Sequence, residues 1–268
     1  MNQEQQKREL NFKHECGVLD KMRAIYVMWL RQIKRYWRSR GRMIGSLGQP
    51  LLFLIALGFG LGPIYAKAGQ GDFIQFLAPG VISMTILFSA MFSGIEVIWD
   101  RQFGFLKETL VAPVPRLHIM IGKTLGGATI SIFQGIIVFL IALIVGFKPF
   151  IVNIPLAFLF MFLIAILFTA LGVAIASQLE DMQAFPIIMN FLIMPIFFLS
   201  GAVFPLDNIP KTLSLITKFN PLTYGVDGIR GALTGVYFFS PLTNLIVITV
   251  LALITLAIGT YMFSKVEI

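Results

Sequence analysis

Charged residues are spaced along this 268-residue chain so that six windows contain none: 43–66, 73–95, 124–147, 149–179, 182–206 and 231–264. The shortest holds 23 residues. A helix needs about 20 apolar residues to cross the hydrocarbon of a bilayer. A charge at mid-bilayer costs about 2.5–3.5 kcal/mol even on the lenient insertion scale. Windows this long and clean predict six transmembrane helices, at about 44–62, 75–98, 119–145, 154–177, 184–203 and 242–263. Pro186, Pro195 and Gly172 fall inside them, where neighbouring helices can satisfy freed backbone groups.

A different pattern precedes the first span. Leu19, Met22, Tyr26, Trp29, Ile33 and Tyr36 recur at three-four spacing, which lines one face of a helix. Arg23, Arg31, Lys34, Arg35 and Arg38 mostly fall elsewhere around it. This predicts an amphipathic helix lying in the headgroup region. It serves either as a basic anchor alone or also as a support for a cytoplasmic partner. After the second span, Trp99 to Arg116 mixes polar and apolar residues, with Gly104 free to bend tightly and Pro113 and Pro115 able to stop a helix. That loop is either a plain connector or a docking element. A long segment from Leu199 to Gly235 predicts two short helices parted by Asn220-Pro221. They are re-entrant or lie at the outer interface, as a lid or an exit gate. Asp227 and Arg230 stand three apart there and could pair.

Composition agrees with the spans. Hydrophobic types make up 57% and charged types 13%, against roughly 25% charged in soluble domains. The net charge of +8 has an address, because eleven of the 21 Lys and Arg precede residue 43. That clustering favours anionic headgroups over nucleic acid. With the N-terminus inside, inner segments hold sixteen basic residues and outer loops five. This predicts a multi-pass protein of the cell (inner) membrane with both termini cytoplasmic. A single cysteine excludes an intrachain disulfide, and His14 and His118 are too far apart in sequence to suggest a metal cluster. The polar, basic first forty residues do not read as a cleavable signal peptide.

One stretch invites a nucleotide reading. Gly122-Lys123-Thr124 ends like a phosphate-binding loop, but that loop needs glycine five residues earlier, where Leu117 stands. Lys123 is expected instead to snorkel to the headgroups. Gly122, Gly126 and Gly127 are expected to allow close helix packing. Glu96, the one acid near a span interior, could pair with Arg101.

Three blocks, Phe76–Ala90, Trp99–Gly127 and Leu199–Gly231, resemble in order the membrane subunit of a type-2 ABC exporter. The similarity is greatest to the daunorubicin- and multidrug-resistance branch. It implies an all-α membrane protein with six spans, a cytoplasmic N-terminal tail and amphipathic interfacial helix over residues 1–43, a type-2 transmembrane domain over 44–268, a cytoplasmic coupling helix and short outer re-entrant or interfacial helices. It also implies a coupling helix from Arg101 to about Leu110, with Arg101, Phe103, Gly104, Phe105, Glu108 and Pro113 contacting a separate nucleotide-binding ATPase subunit. ATP and Mg would be held by that partner and no cofactor by this chain. Two permeases, identical or similar, would pair among membrane lipids. Thr85, Ser89, Asn190 and Met194 would line the substrate path. The cargo is expected to be drug-like, lipid or amphipathic. Phe88, Phe92, Phe191, Phe197 and Phe198 would equally suit a polysaccharide or lipid-linked glycan. An ion-coupled carrier or channel is a further alternative. An intramembrane enzyme is disfavoured, since both histidines lie outside the spans and no two carboxylates share one.

Overall fold

A computed structural model describes residues 22–67, 71–105, 115–179, 181–206 and 210–265. Among them there are helices and no strands. In chain order these are α1 (22–38), α2 (Arg40–Lys67), α3 (Phe73–Phe92), α4 (Ile95–Gln102), α5 (Arg116–Val145), α6 (Ile154–Gln178), α7 (Ala184–Phe198), α8 (Lys211–Phe219), α9 (Pro221–Thr234) and α10 (Pro241–Ser264). Five stretches are long and apolar enough to span: Met43–Lys67, Phe73–Gln102, Arg116–Val145, Ile151–Gln178 and Pro241–Ser264. The remaining expected span, α7, has 15 residues. At 1.5 Å per residue it covers about 22 Å, short of the ~30 Å core. It ends at a turn in which Gly201 takes φ +75°, a conformation natural to glycine alone.

Helix α6 is the hub, packing against α3, α5, α9 and α10. Glycines set the closest approaches. A Cβ on Gly94, between α3 and α4, would lie 2.3 Å from the Gly172 carbonyl oxygen of α6, and one on Gly172 would lie 2.4 Å from that of Met91. A Cβ on Gly80 would sit 2.1 Å from the Ala202 carbonyl oxygen. These are backbone-on-backbone contacts that any side chain would block, the packing mode by which small residues join membrane helices.

Helix α1 runs alongside the first turns of α5 in the same direction. Gly122 receives Met28 and Ile25, and Gly126 receives Gln32. The Trp29 indole donates to Thr129 Oγ1 at 3.0 Å, and Trp37 packs on Phe133. The face turned to α5 is thus Ile25, Met28, Gln32 and Tyr36, while Met22 and Tyr26 of the predicted stripe stay exposed. At the other end, α8 and α9 form a pair of short helices joined at Asn220-Pro221. Asn220 caps α9 through Leu222 N and donates to the Ile196 carbonyl of α7. Helix α9 returns buried on α6, α3 and α10. Its glycines make room for bulk: Gly225 faces Ile164, and Gly228 faces the Phe160 ring.

Candidate functional site

The end of the bundle where α1 meets α4 and α5 carries a buried charge cluster. Asp100 Oδ1 accepts from Arg31 Nη2 at 2.8 Å and from both Arg35 Nη atoms at 3.3 Å. Its Oδ2 accepts from Lys123 Nζ at 2.5 Å. Glu96, one turn earlier, lies 3.9 Å from Arg35. Three helices are therefore joined through one carboxylate. Lys123 is only 3% exposed, so it does not snorkel; it is consumed by Asp100. The reason is geometric. Gly122 and Gly126 draw α1 onto α5, which closes over the lysine and brings two guanidinium groups to the same acid. Buried charges persist where they are paired and hydrogen-bonded. Each of α1 and α4 carries its charges four residues apart, Arg31/Arg35 and Glu96/Asp100. That matched spacing is the signal in the sequence that sequence reasoning passed over.

The expected docking residues leave this cluster directly. Arg101 is partly exposed, and Phe103 is 69% exposed. Gly104 takes φ +79° with nothing within 4 Å of an added Cβ. The Phe105 ring lies under the Arg31 guanidinium at 5.2 Å. Glu108 and Pro113 lie outside the described residues. Arg31 thus holds both Asp100 and Phe105, tying the exposed segment to α1.

A cavity of about 470 Å³ opens beside the cluster, among α1, α2, α3, α4 and α5. Its lining includes Met84, Phe88, Phe92, Ser89, Glu96 and Gln134. Of the expected path residues, only Ser89 lies here, accepting from Ser131 Oγ at 3.1 Å. Thr85 is buried and donates to the Val81 carbonyl of its own helix. Asn190 and Met194 stand on the exposed face of α7 with Ile187 and Phe191. The structure does not gather these four into one site within a single chain.

A second cavity, of about 350 Å³, lies at the opposite end, lined by Tyr65, Phe76, Arg230, Asp227, Tyr237 and Phe238 among others. Asp227 turns to the loop after α9 rather than to Arg230. It accepts from Phe238 N at 2.7 Å, Phe239 N at 2.8 Å and Asn244 Nδ2 at 2.7 Å. Arg230 donates to the Gly201 carbonyl at 2.8 Å and sits 4.0 Å over the Phe76 ring. The two side chains therefore pin the α9–α10 loop and the α7 exit separately. Burial, with the Asp227 carboxylate adding to it, pushes the Tyr237 phenol above its usual value, so it stays neutral beside that acid.

Residues 23–234 match the ABC-2 type transporter family. Among similar proteins, the transport permease ycf38 of Cyanophora paradoxa is 30% identical over 213 residues, covering 78% of this chain and 73% of that one. Its counterpart in Porphyra purpurea is 31% identical over 207 residues, covering 75% and 70%. Nodulation protein J of Rhizobium leguminosarum bv. trifolii is 27% identical over 215 residues, covering 80% and 79%. The matched region runs from α1 through α9 and so takes in the charge cluster, the exposed segment and the cavity beside the cluster. This chain belongs to the ABC-2 type transporter family, as an integral membrane transport permease.

Proposed function

We propose that the chain is the membrane-spanning subunit of an ATP-driven exporter, moving a drug-like, lipid or amphipathic substrate outward. A separate ATPase subunit supplies the energy and binds ATP and Mg. It docks on the segment that begins Arg101-Gln102-Phe103-Gly104-Phe105 and continues through Glu108 and Pro113. Two permeases pair in the cell membrane, with the α1 end and both termini on the cytoplasmic side. Thr85, Ser89, Asn190 and Met194 contribute to the path once two copies assemble.

The observation that carries this reading is the exposed Phe103-Gly104-Phe105 turn set directly on a buried, three-helix ion cluster. An exposed aromatic mounted on a stiff base is suited to receiving force. Family membership supports an ATPase partner in general. The basic residues concentrated before residue 43 support the orientation.

The test is ATP hydrolysis and transport in proteoliposomes holding the permease and its ATPase subunit. Phe103→Ala and Gly104→Val should each lower permease-dependent hydrolysis by about ten-fold, the factor given by ~1.4 kcal/mol of lost docking energy. Valine is doubly unsuited to Gly104, since β-branched residues avoid positive φ. Unchanged transport in both variants, with normal membrane insertion, would remove the docking assignment.

A second reading, export of a polysaccharide or lipid-linked glycan, draws on the far cavity. Rings of Tyr65, Phe76, Tyr237 and Phe238 there adjoin Asp72 and Gln75, and aromatic faces with planar polar groups suit sugars. Transport of a fluorescent lipid-linked oligosaccharide that is lost in Tyr237→Ala, with an apolar dye still exported, would favour it.

A further inference from the structure

We infer that the span Phe73–Gln102 carries a hinge at Ser93-Gly94. Helix α4, with the exposed Phe103-Gly104-Phe105 turn at its end, swings on that hinge and reshapes the α4 side of the cavity beside the charge cluster. The inference rests on the docking reading only for the force that drives the swing.

The helical ladder of this span changes at one place. Ser93 N is shared between the Ser89 and Ala90 carbonyls, at 3.1 and 3.2 Å. Gly94 N then turns to the Met91 carbonyl at 3.2 Å, Glu96 N to that of Ser93 at 3.3 Å and Val97 N to that of Gly94 at 2.9 Å. These bonds reach back one residue less than in an α-helix, a tighter winding that within a helix often marks a hinge. The sequence supplies the cause, because a Ser/Gly pair is among the few features that kink a helix. Ser93 Oγ donates to the Ala90 carbonyl at 2.6 Å. It thereby occupies the acceptor that Gly94 N would use in an unbroken helix.

The surroundings fix the pivot and leave the arm to side chains. An added Cβ on Gly94 would stand 2.3 Å from the Gly172 carbonyl oxygen of α6, so the break itself is seated on backbone. Further along, Asp100 is held by the side chains of Arg31 and Arg35 of α1 and Lys123 of α5, whose flexible stems can follow a small shift. At 1.5 Å per residue Phe103 stands about 13 Å beyond Gly94, so a bend of about 10° carries it about 2 Å. The cavity straddles the break. Phe88, Ser89 and Phe92 line it on one side, and Ile95, Glu96 and Trp99 on the other. A bend therefore shifts one part of the wall relative to the other and joins the docking turn to the cavity.

The test uses full-length permease with Cys16→Ser in nanodiscs, alone and with the ATPase subunit. In the permease alone, the amides of Gly94, Glu96 and Val97 should exchange hydrogen about five-fold faster than those of residues 87–91, the scale of one net backbone hydrogen bond. Ser93→Ala frees the Ala90 carbonyl for Gly94 N, so exchange should slow to the rate of its neighbours. Spin labels at Gln102→Cys and Phe162→Cys should change their separation by about 2 Å between the nucleotide-free and ATP-trapped complexes, the displacement of the arm. Labels at Ile74→Cys and Phe162→Cys should keep theirs, and Ser93→Ala should abolish the change at Gln102. Exchange at residues 94–97 as slow as at 87–91, or equal shifts of both label pairs, would overturn the hinge even if Phe103→Ala still uncouples hydrolysis. Fast exchange with Gln102 unmoved by nucleotide would instead overturn the docking reading, so the two fail separately.

Discussion

Deleting the Asp100 carboxylate leaves Lys123, Arg31 and Arg35 facing one another with Glu96 as the nearest acid among the described residues. Asp100→Ala should therefore destabilise the protein by about 3–5 kcal/mol, the usual cost of breaking a buried pair from one side. Lys123→Met should cost less, because two guanidinium groups still hold the acid. Thermal unfolding in detergent checks both. The double variant Asp100→Leu, Lys123→Met should lose less than the sum of the singles, as coupled neighbours do. Purified Lys123→Gln should show the same absence of nucleotide binding as the parent, read by equilibrium dialysis with ATP. The Gly-Lys-Thr fragment was legible as no phosphate loop, because Leu117 occupies a glycine's place. What its lysine does instead was not legible. Its partner, Asp100, stands 23 positions away in sequence, and that acid's other partners, Arg31 and Arg35, lie on a third helix, so nothing local marks such a meeting.

Among elements, the glycine contacts make the sharpest claims. Gly94→Val would place a side chain into the Gly172 carbonyl, and Gly80→Val into that of Ala202. Both should abolish the folded, monodisperse protein in size-exclusion chromatography. Gly60→Ala meets nothing within 4 Å and should stabilise α2 by up to ~1 kcal/mol through helix propensity. The long spans were readable from charge-free windows because cost per charge in lipid is large. The shortness of α7 was not. The window from 182 to 206 is uniformly apolar, and the stop at Phe198 depends on a left-handed Gly201 whose carbonyl is claimed by Arg230 from α9. Likewise Asp227 and Arg230 read as a pair three apart, yet they find separate partners in the α9–α10 loop, α10, the α7 exit and α3.

For the molecule as a whole, the two ends of the bundle differ in charge and chemistry, and that difference sets a topology test. In a Cys16→Ser background, Lys211→Cys should react with an impermeant maleimide added outside intact cells. Reaction only after the cytoplasmic side is opened would invert the orientation. The same experiment at Phe103 should give the opposite answer. The five long apolar helices were legible in plain sequence, since charge-free windows follow from the energetics of lipid; the orientation that the basic asymmetry predicts is what the labelling tests. The cavities did not announce themselves, because each is lined from several helices at once.

The carbonyl-to-glycine contacts between α3 and α6 have a mechanical consequence. Two backbones that touch without side chains between them have no rotamers to yield, so they cannot slide past each other without first separating. Against α10 the contact is softer, because a Cβ on Gly259 would first meet the flexible end of Met120. Helices α3 and α6 are therefore expected to move as one body, with no side chain at their closest approach to absorb a shift.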